Sequence, residues 1–154
     1  MTALAEGMKA PEFNLPRDGG GTVSLSDYAG GKLVLFFYPK DDTKGCTAEA
    51  IAFTGLQPEF EKAKTALLGM SPDGVASHDK FVAKHTLSVP LASDEDKSTL
   101  EAYGVWVEKS MYGKKYMGVE RSTFLIDEAG NIEKIWRKVK VPGHAEAVLK
   151  DVAG

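Results

Sequence analysis

Sulfur chemistry has little to work with here, because the 154-residue sequence holds one cysteine, Cys46. A single thiol excludes an intramolecular disulfide framework, a Cys-x-x-Cys redox pair and a thiolate metal cluster. Long apolar runs are missing too: none approaches the ~20 residues that a bilayer-spanning helix needs. The first nine residues lack the basic-then-apolar order of a secretory leader, so the expected location is the cytoplasm, with no membrane partner. There is no excess of positive charge. The 19 Lys and Arg face 22 Asp and Glu, for a formal net charge of -3, and nucleic acid binding would call for a basic face. Gly19 to Gly21 are followed by neither the Lys-Ser/Thr pair nor the helix of a phosphate loop. His78, His85 and His144 lack metal-ligand spacing, since two turns separate the first two. No metal and no cofactor is expected.

The composition that remains is 43% hydrophobic and 27% charged, that of one globular domain over residues 1–154. The stretch "APEFNLPRDGGGTVSLSDYAG" predicts a short strand, a glycine turn at 19–21, a second strand through Val23 and Leu25, and a turn from Ser26 or Asp27. "KLVLFFY", Lys32 to Tyr38, is continuously apolar, as in a strand covered on both faces. From Gly45 to about Lys64, Ala48, Ile51, Ala52, Leu56, Phe60 and Ala63 fall at helical spacing, and Pro58 is expected to kink or interrupt that helix. "ALLGMS", Ala66 to Ser71, predicts a second buried strand, and "GVASHDKFVAKHT" an amphipathic helix capped near Ser77.

Further on, "VPLASDEDKSTLEAYGV" predicts a short strand and then a helix from Ser93 or Asp94 to Gly104. Asp94, Glu95 and Asp96 suit the first turn of that helix, where the dipole favours carboxylates over a metal role. "RSTFLIDEAGNIEKIWRKVKV" predicts a hairpin with strands Ser122–Asp127 and Ile132–Lys138, and Arg137, Lys138 and Lys140 alternate with valines as a strand's wet face does. A helix over His144–Val152 closes the chain. The order gives an α/β domain with a mixed central sheet.

Cys46 follows a buried strand and falls in the first turn of the next helix. There the unpaired N–H groups and the helix dipole favour thiolate over thiol. Gly45 permits a close approach to the backbone, Thr43 offers a hydroxyl to a bound oxygen or to the helix start, and Pro39 supplies an apolar wall. Free cysteine is often simply buried, so these residues alone leave a reactive and an inert thiol both open.

Pro39, Thr43 and Cys46 form a P-x-x-x-T-x-x-C signature, and "VLFFYPKDDTKGCTAEA" resembles the active-site loop of peroxiredoxins, in particular the bacterioferritin-comigratory or Q-type branch. "GMKAPEFNLP" resembles that family's N-terminal hairpin, and "LASDEDKSTLEAYGVWVEKSMYGKKYMGVERSTFLIDEAGNI" its second half, so the likeness covers nearly the whole chain. The resemblance implies a thioredoxin-like fold with an N-terminal β-hairpin, and reduction of hydrogen peroxide or organic hydroperoxides. By the same likeness, Cys46 is the peroxidatic cysteine that becomes a sulfenic acid, Thr43 bonds the peroxide, Pro39 shields the thiolate, and Arg121 in "ERSTFLID" is the active-site arginine. A guanidinium suits that post because its charge is permanent and its donors form a fixed fork. Glu49, one turn after Cys46, is placed to bond back to the helix start or to engage Arg121; an ordinary surface role stays open.

The chain departs from the branch at Ile51, where many members carry a resolving cysteine. A sulfenic acid at Cys46 then has to be reduced by an outside thiol: thioredoxin, glutaredoxin or a low-molecular-weight thiol. A one-cysteine peroxidase is expected, a monomer or at most a weak dimer. The other reading is a redox sensor or binding module that relays Cys46 oxidation to a partner protein.

Overall fold

The computed structural model describes residues 4–153, so positions 1–3 and 154 of the expected domain lie outside the described residues. At its centre is a five-stranded sheet built from β3 (Lys32–Phe37), β4 (Thr65–Ser71), β5 (Leu91–Ser93), β8 (Ser122–Ile126) and β9 (Ile132–Trp136), in the order β5-β4-β3-β8-β9. β3, β4 and β5 run parallel, while β8 runs antiparallel to both of its neighbours, β3 and β9, so the sheet is mixed. Strand β3 lies in the middle, and every residue from Leu33 to Phe37 is buried. Its alternation divides the core in two. Leu33, Leu35 and Phe37 face one way, toward Tyr103, Phe124 and Ile126. Val34 and Phe36 face the other, toward Phe53, Phe60, Leu125 and Val148.

The second face is covered by α1 (Lys44–Lys62), α2 (Val75–His85) and α4 (His144–Ala153). Phe53 of α1 stacks on Phe36 of β3 with ring centroids 4.6 Å apart. A pair of this kind is worth about 0.5–1.5 kcal/mol beyond the area it buries. That contact docks α1 on β3 and sets its first turn just beyond the strand's C-terminal end, the usual place for a site in an open α/β sheet. The first face is closed by the hairpin of β1 (Asn14–Pro16) and β2 (Thr22–Ser24), by a 3-10 turn at Leu25–Tyr28, and by the short α3 (Ser98–Ala102). This is a thioredoxin-like architecture with an N-terminal hairpin, as expected.

Several local expectations are corrected. α1 runs unbroken through Pro58. The proline removes one bond to the carbonyl four residues back, yet Phe53 and Phe60, both fully buried, brace the helix on either side of it. The buried stripe of α1 is also rotated from the expected one. It consists of Cys46, Glu49, Ala50, Phe53 and Phe60, while Ala48 and Ile51 face solvent. Helix α2 starts from Gly74 rather than near Ser77, whose hydroxyl is committed to Asp41. Leu25 opens the 3-10 turn instead of ending β2.

α3 begins at Ser98, later than expected, because Asp94 and Asp96 hold the turn before it. Asp94 Oδ2 accepts from Leu100 N at 2.7 Å and Asp96 Oδ1 from Ser98 N at 3.0 Å. β9 ends at Trp136, so Arg137, Lys138 and Lys140 lie beyond the sheet and are not a strand face. One element was not expected at all, the exposed hairpin of β6 (Trp106–Met111) and β7 (Lys114–Val119). Its turn is Tyr112–Gly113, both with positive φ. A tyrosine there hides the usual Asn-Gly signal of such turns.

Candidate active site

Cys46 sits at the third position of α1, whose N-cap is Thr43 in an extended conformation. The thiol residue is 2% exposed. Arg121, between β7 and β8, reaches it from a point 75 positions away in sequence: its Nη2 donates to Cys46 Sγ at 3.3 Å. The other arm of the fork, Nη1, donates to Glu49 Oε1 at 2.7 Å. One guanidinium thus bridges two groups that share the buried stripe of α1, three residues apart and so on the same helical face. The Arg121 carbonyl accepts from Val139 N at 2.9 Å, and Val119 and Ser122 on either side of it are buried, which fixes the root of the side chain.

Gly45 makes this approach feasible. A Cβ there would lie 3.1 Å from Arg121 Nη2. The close approach expected at Gly45 is therefore made by the arginine of the chain itself.

Glu49 is buried, 1% exposed. Burial pushes its carboxyl up to about 7, against the opposing pull of Arg121. Its second oxygen, Oε2, has no hydrogen-bond partner among the described residues. The surface reading of Glu49 fails. Two further groups feel the same centre. Lys109 on β6 is half-buried, and burial and then the Arg121 charge lower its pKa, with Cys46 acting the other way. His144 is pushed down to about 4 by burial and by Arg121, so it is neutral at pH 7. Its Nε2 lies 2.8 Å from Thr123 Oγ1.

The Thr43 hydroxyl donates to the Lys40 carbonyl at 2.8 Å and makes no side-chain cap bond. In this state its hydrogen is committed and its lone pairs remain. Pro39 is half-buried, directly after the buried Tyr38. The structure thus brings Cys46, Arg121 and Glu49 into direct contact and sets Thr43 at the entrance to their helix. Lys109 and His144 were not anticipated. Nothing in sequence spacing links either to Cys46, since they come from the β6–β7 hairpin and from α4, both distant from it in sequence. Among the described residues no group of three or more His, Cys, Asp and Glu is placed to hold a metal ion, and no helix is long and apolar enough to cross a membrane.

A buried thiol at a helix start, bridged by a guanidinium on a thioredoxin-like frame, defines the class of thiol-reactive redox proteins. The relatives narrow it. The AhpC/TSA family matches residues 7–135. A putative peroxiredoxin bcp of Coxiella burnetii is 50% identical over 96% of this chain and 97% of that protein. Peroxiredoxin Bcp of Bacillus subtilis is 49% identical over 96% of each. Among solved structures, a cysteine-to-serine mutant of PrxQ from Xylella fastidiosa superposes with a TM-score of 0.94 at 42% identity, covering 99% of this chain and 98% of that one. The bacterioferritin comigratory protein of Xanthomonas campestris, studied for alkyl peroxide reduction, superposes at 0.91 with 45% identity over 97% of this chain and 98% of that one. The chain belongs to the AhpC/TSA family, among the Bcp/PrxQ peroxiredoxins.

Proposed function

We propose that this protein is a thiol-dependent peroxidase that reduces hydrogen peroxide and organic hydroperoxides at Cys46 by a one-cysteine mechanism. The observation that carries the reading is the Arg121 fork, with Cys46 Sγ on one arm and Glu49 Oε1 on the other. The guanidinium 3.3 Å from the sulfur is a charged hydrogen-bond donor aimed at the atom that reacts.

In the first step the thiolate attacks the terminal peroxide oxygen. An S–O bond forms, the O–O bond breaks, and the peroxide hydrogen passes to the leaving oxygen, which departs as water or alcohol. The sulfur loses two electrons and is left as a sulfenate, which takes up a proton to become sulfenic acid. Negative charge develops on the peroxide oxygens in this step. Arg121 and the backbone N–H of Cys46 are the donors for it, and Thr43 Oγ1, its hydrogen held by Lys40, accepts the peroxide O–H. Pro39 keeps water from the thiolate.

In the second step an outside thiol attacks the sulfenic acid, forming a mixed disulfide and releasing water; a second thiol then exchanges onto that disulfide and restores Cys46. The reductant is thioredoxin, glutaredoxin or a low-molecular-weight thiol, because the chain holds no second cysteine. The test is peroxide consumption with each of these reductants in turn, with Cys46→Ser as control. Sustained turnover with at least one reductant, abolished in the control, is expected. A single oxidation event that no reductant reverses would leave the relay reading instead.

A further inference from the structure

Behind the loop that leads into α1 lies a buried cluster that the reaction above does not use. His78 on α2 is 0% exposed, and both of its ring nitrogens face acceptors. Nε2 is 3.0 Å from the Ala92 carbonyl oxygen, which only accepts, so Nε2 carries hydrogen. Nδ1 is 2.7 Å from Asp41 Oδ2. Asp41 in turn takes the Tyr38 hydroxyl on Oδ1 at 2.6 Å and the Ser77 hydroxyl on Oδ2 at 2.7 Å. A carboxylate that collects donors on both oxygens is ionised, and the nitrogen facing it is a donor too. Two ring donors make His78 an imidazolium.

The groups around that ring agree with this assignment. Tyr38, directly after β3, keeps its proton, its pKa raised by burial and by Asp41. Asp73, after β4, adds a second negative charge near the ring and accepts from Asp41 N at 2.8 Å and from Ser71 Oγ at 2.7 Å. Burial alone would lower the His78 pKa, but Asp41 outweighs it and the net direction is up. Burial would likewise raise Asp41, but the His78 and Tyr38 bonds outweigh it and the net direction is down.

Asp41 belongs to the stretch between Pro39 and Thr43. Its neighbour Lys40 supplies the carbonyl on which the Thr43 hydroxyl is seated. We propose that His78 is a positioning residue for the peroxide step: as an imidazolium it holds the Asp41 carboxylate, and through the Lys40–Asp42 backbone it fixes the Thr43 hydroxyl and the start of α1. Loss of its proton leaves a buried carboxylate without its cation and loosens that seat. His78's contribution is fully present below its ordinary 6.5 and lost as pH rises through its raised value; Asp41's is present above its ordinary 3.8 and lost as pH falls through its lowered one.

This inference rests on the peroxidase reading, and the experiment separates the two. Ring 1H–15N spectra of the wild-type protein follow His78 protonation with pH, while rapid quenching and intact mass follow the rate of Cys46 oxidation by hydrogen peroxide. The expected result is two ring protons on His78 at neutral pH, and a fall in oxidation rate at the alkaline pH where one of them is lost. In His78→Gln that fall disappears, and the rate at pH 7 drops on the order of tenfold. Asp41→Asn added to His78→Gln slows the reaction no further. A His78 with one ring proton at neutral pH overturns the inference, as does a wild-type rate that does not change where His78 titrates; neither measurement needs a variant to fold. A folded His78→Gln with wild-type rate and pH profile overturns it as well. If Cys46 takes up no oxygen at any pH, it is the peroxidase reading that fails.

Discussion

The Arg121 guanidinium lies close against the backbone of Gly45: a Cβ on Gly45 would lie 3.1 Å from Arg121 Nη2. That contact is tighter than most Cβ contacts, so a side chain there pushes the Nη2 arm of the fork, the one on Cys46, aside by a few tenths of an ångström.

Gly45→Ala therefore separates stability from activity. Gly45 lies inside α1, where replacing glycine with alanine gains up to about 1 kcal/mol. Thermal melting is expected to hold or improve. Cys46 oxidation by peroxide is expected to slow by a few-fold up to roughly a hundredfold, the range that small misplacements of reacting groups cost. Stopped-flow oxidation beside a melting curve checks both.

Arg121→Ala leaves Glu49 buried without its cation, an arrangement that costs about 3–5 kcal/mol if the charge stays. Glu49 already sits near 7, so it takes up a proton instead and the loss should be smaller. Adding Glu49→Gln to Arg121→Ala is expected to recover most of the stability and none of the oxidation rate. Denaturant unfolding and peroxide kinetics on the two variants test this. Recovery of rate in the double variant would remove Arg121 from the peroxide step.

Stability against pH carries two opposed slopes. His144 is lowered to about 4, so its contribution is full above the ordinary 6.5 and lost as pH falls toward 4. Glu49 is raised to about 7, so its contribution is full below the ordinary 4.5 and lost as pH rises through 7. Each spans on the order of 3 kcal/mol, and the two largely cancel between pH 4.5 and 6.5. Glu49→Gln should unmask a loss on acidification, and His144→Asn a loss on the alkaline side of the same window. Urea titrations across that window measure both.

How far the sequence could be read is clearest on α1. Its existence and the place of Cys46 in its first turn were legible, because a strand, a turn and a lone cysteine follow one another locally. The buried face was not. Counting Ala48 and Ile51 as core placed the stripe about one residue away from the observed Cys46, Glu49, Ala50 and Phe53. The pattern scores a glutamate as wet, and only the long-range arrival of Arg121 makes it a buried residue. The same limit applies to His78, which reads as one polar position on an amphipathic helix until β3 and β5 bring Asp41 and the Ala92 carbonyl against it. The exposed β6–β7 hairpin escaped for a local reason, the tyrosine at φ 53° in its turn.

Ile51 is 47% exposed on the outer side of α1, five residues after Cys46. In an intact helix, Cα atoms five apart are roughly 8–9 Å from one another, beyond the ~7 Å limit for a disulfide. Ile51→Cys is expected to form an intramolecular disulfide after one equivalent of peroxide, with loss of helical signal from the first turn of α1. Non-reducing mass analysis and circular dichroism read the two effects. A persistent sulfenic acid in that variant would show that the first turn does not open.

The central claim is that Cys46 is the atom peroxide oxidises. The most direct measurement mixes the reduced protein with one equivalent of hydrogen peroxide and follows intact mass and the position of the added oxygen. The account predicts a gain of one oxygen at Cys46, absent in Cys46→Ser and removed by an added small thiol. No rapid gain, or oxygen found only on the methionines with Cys46 still free, would contradict it.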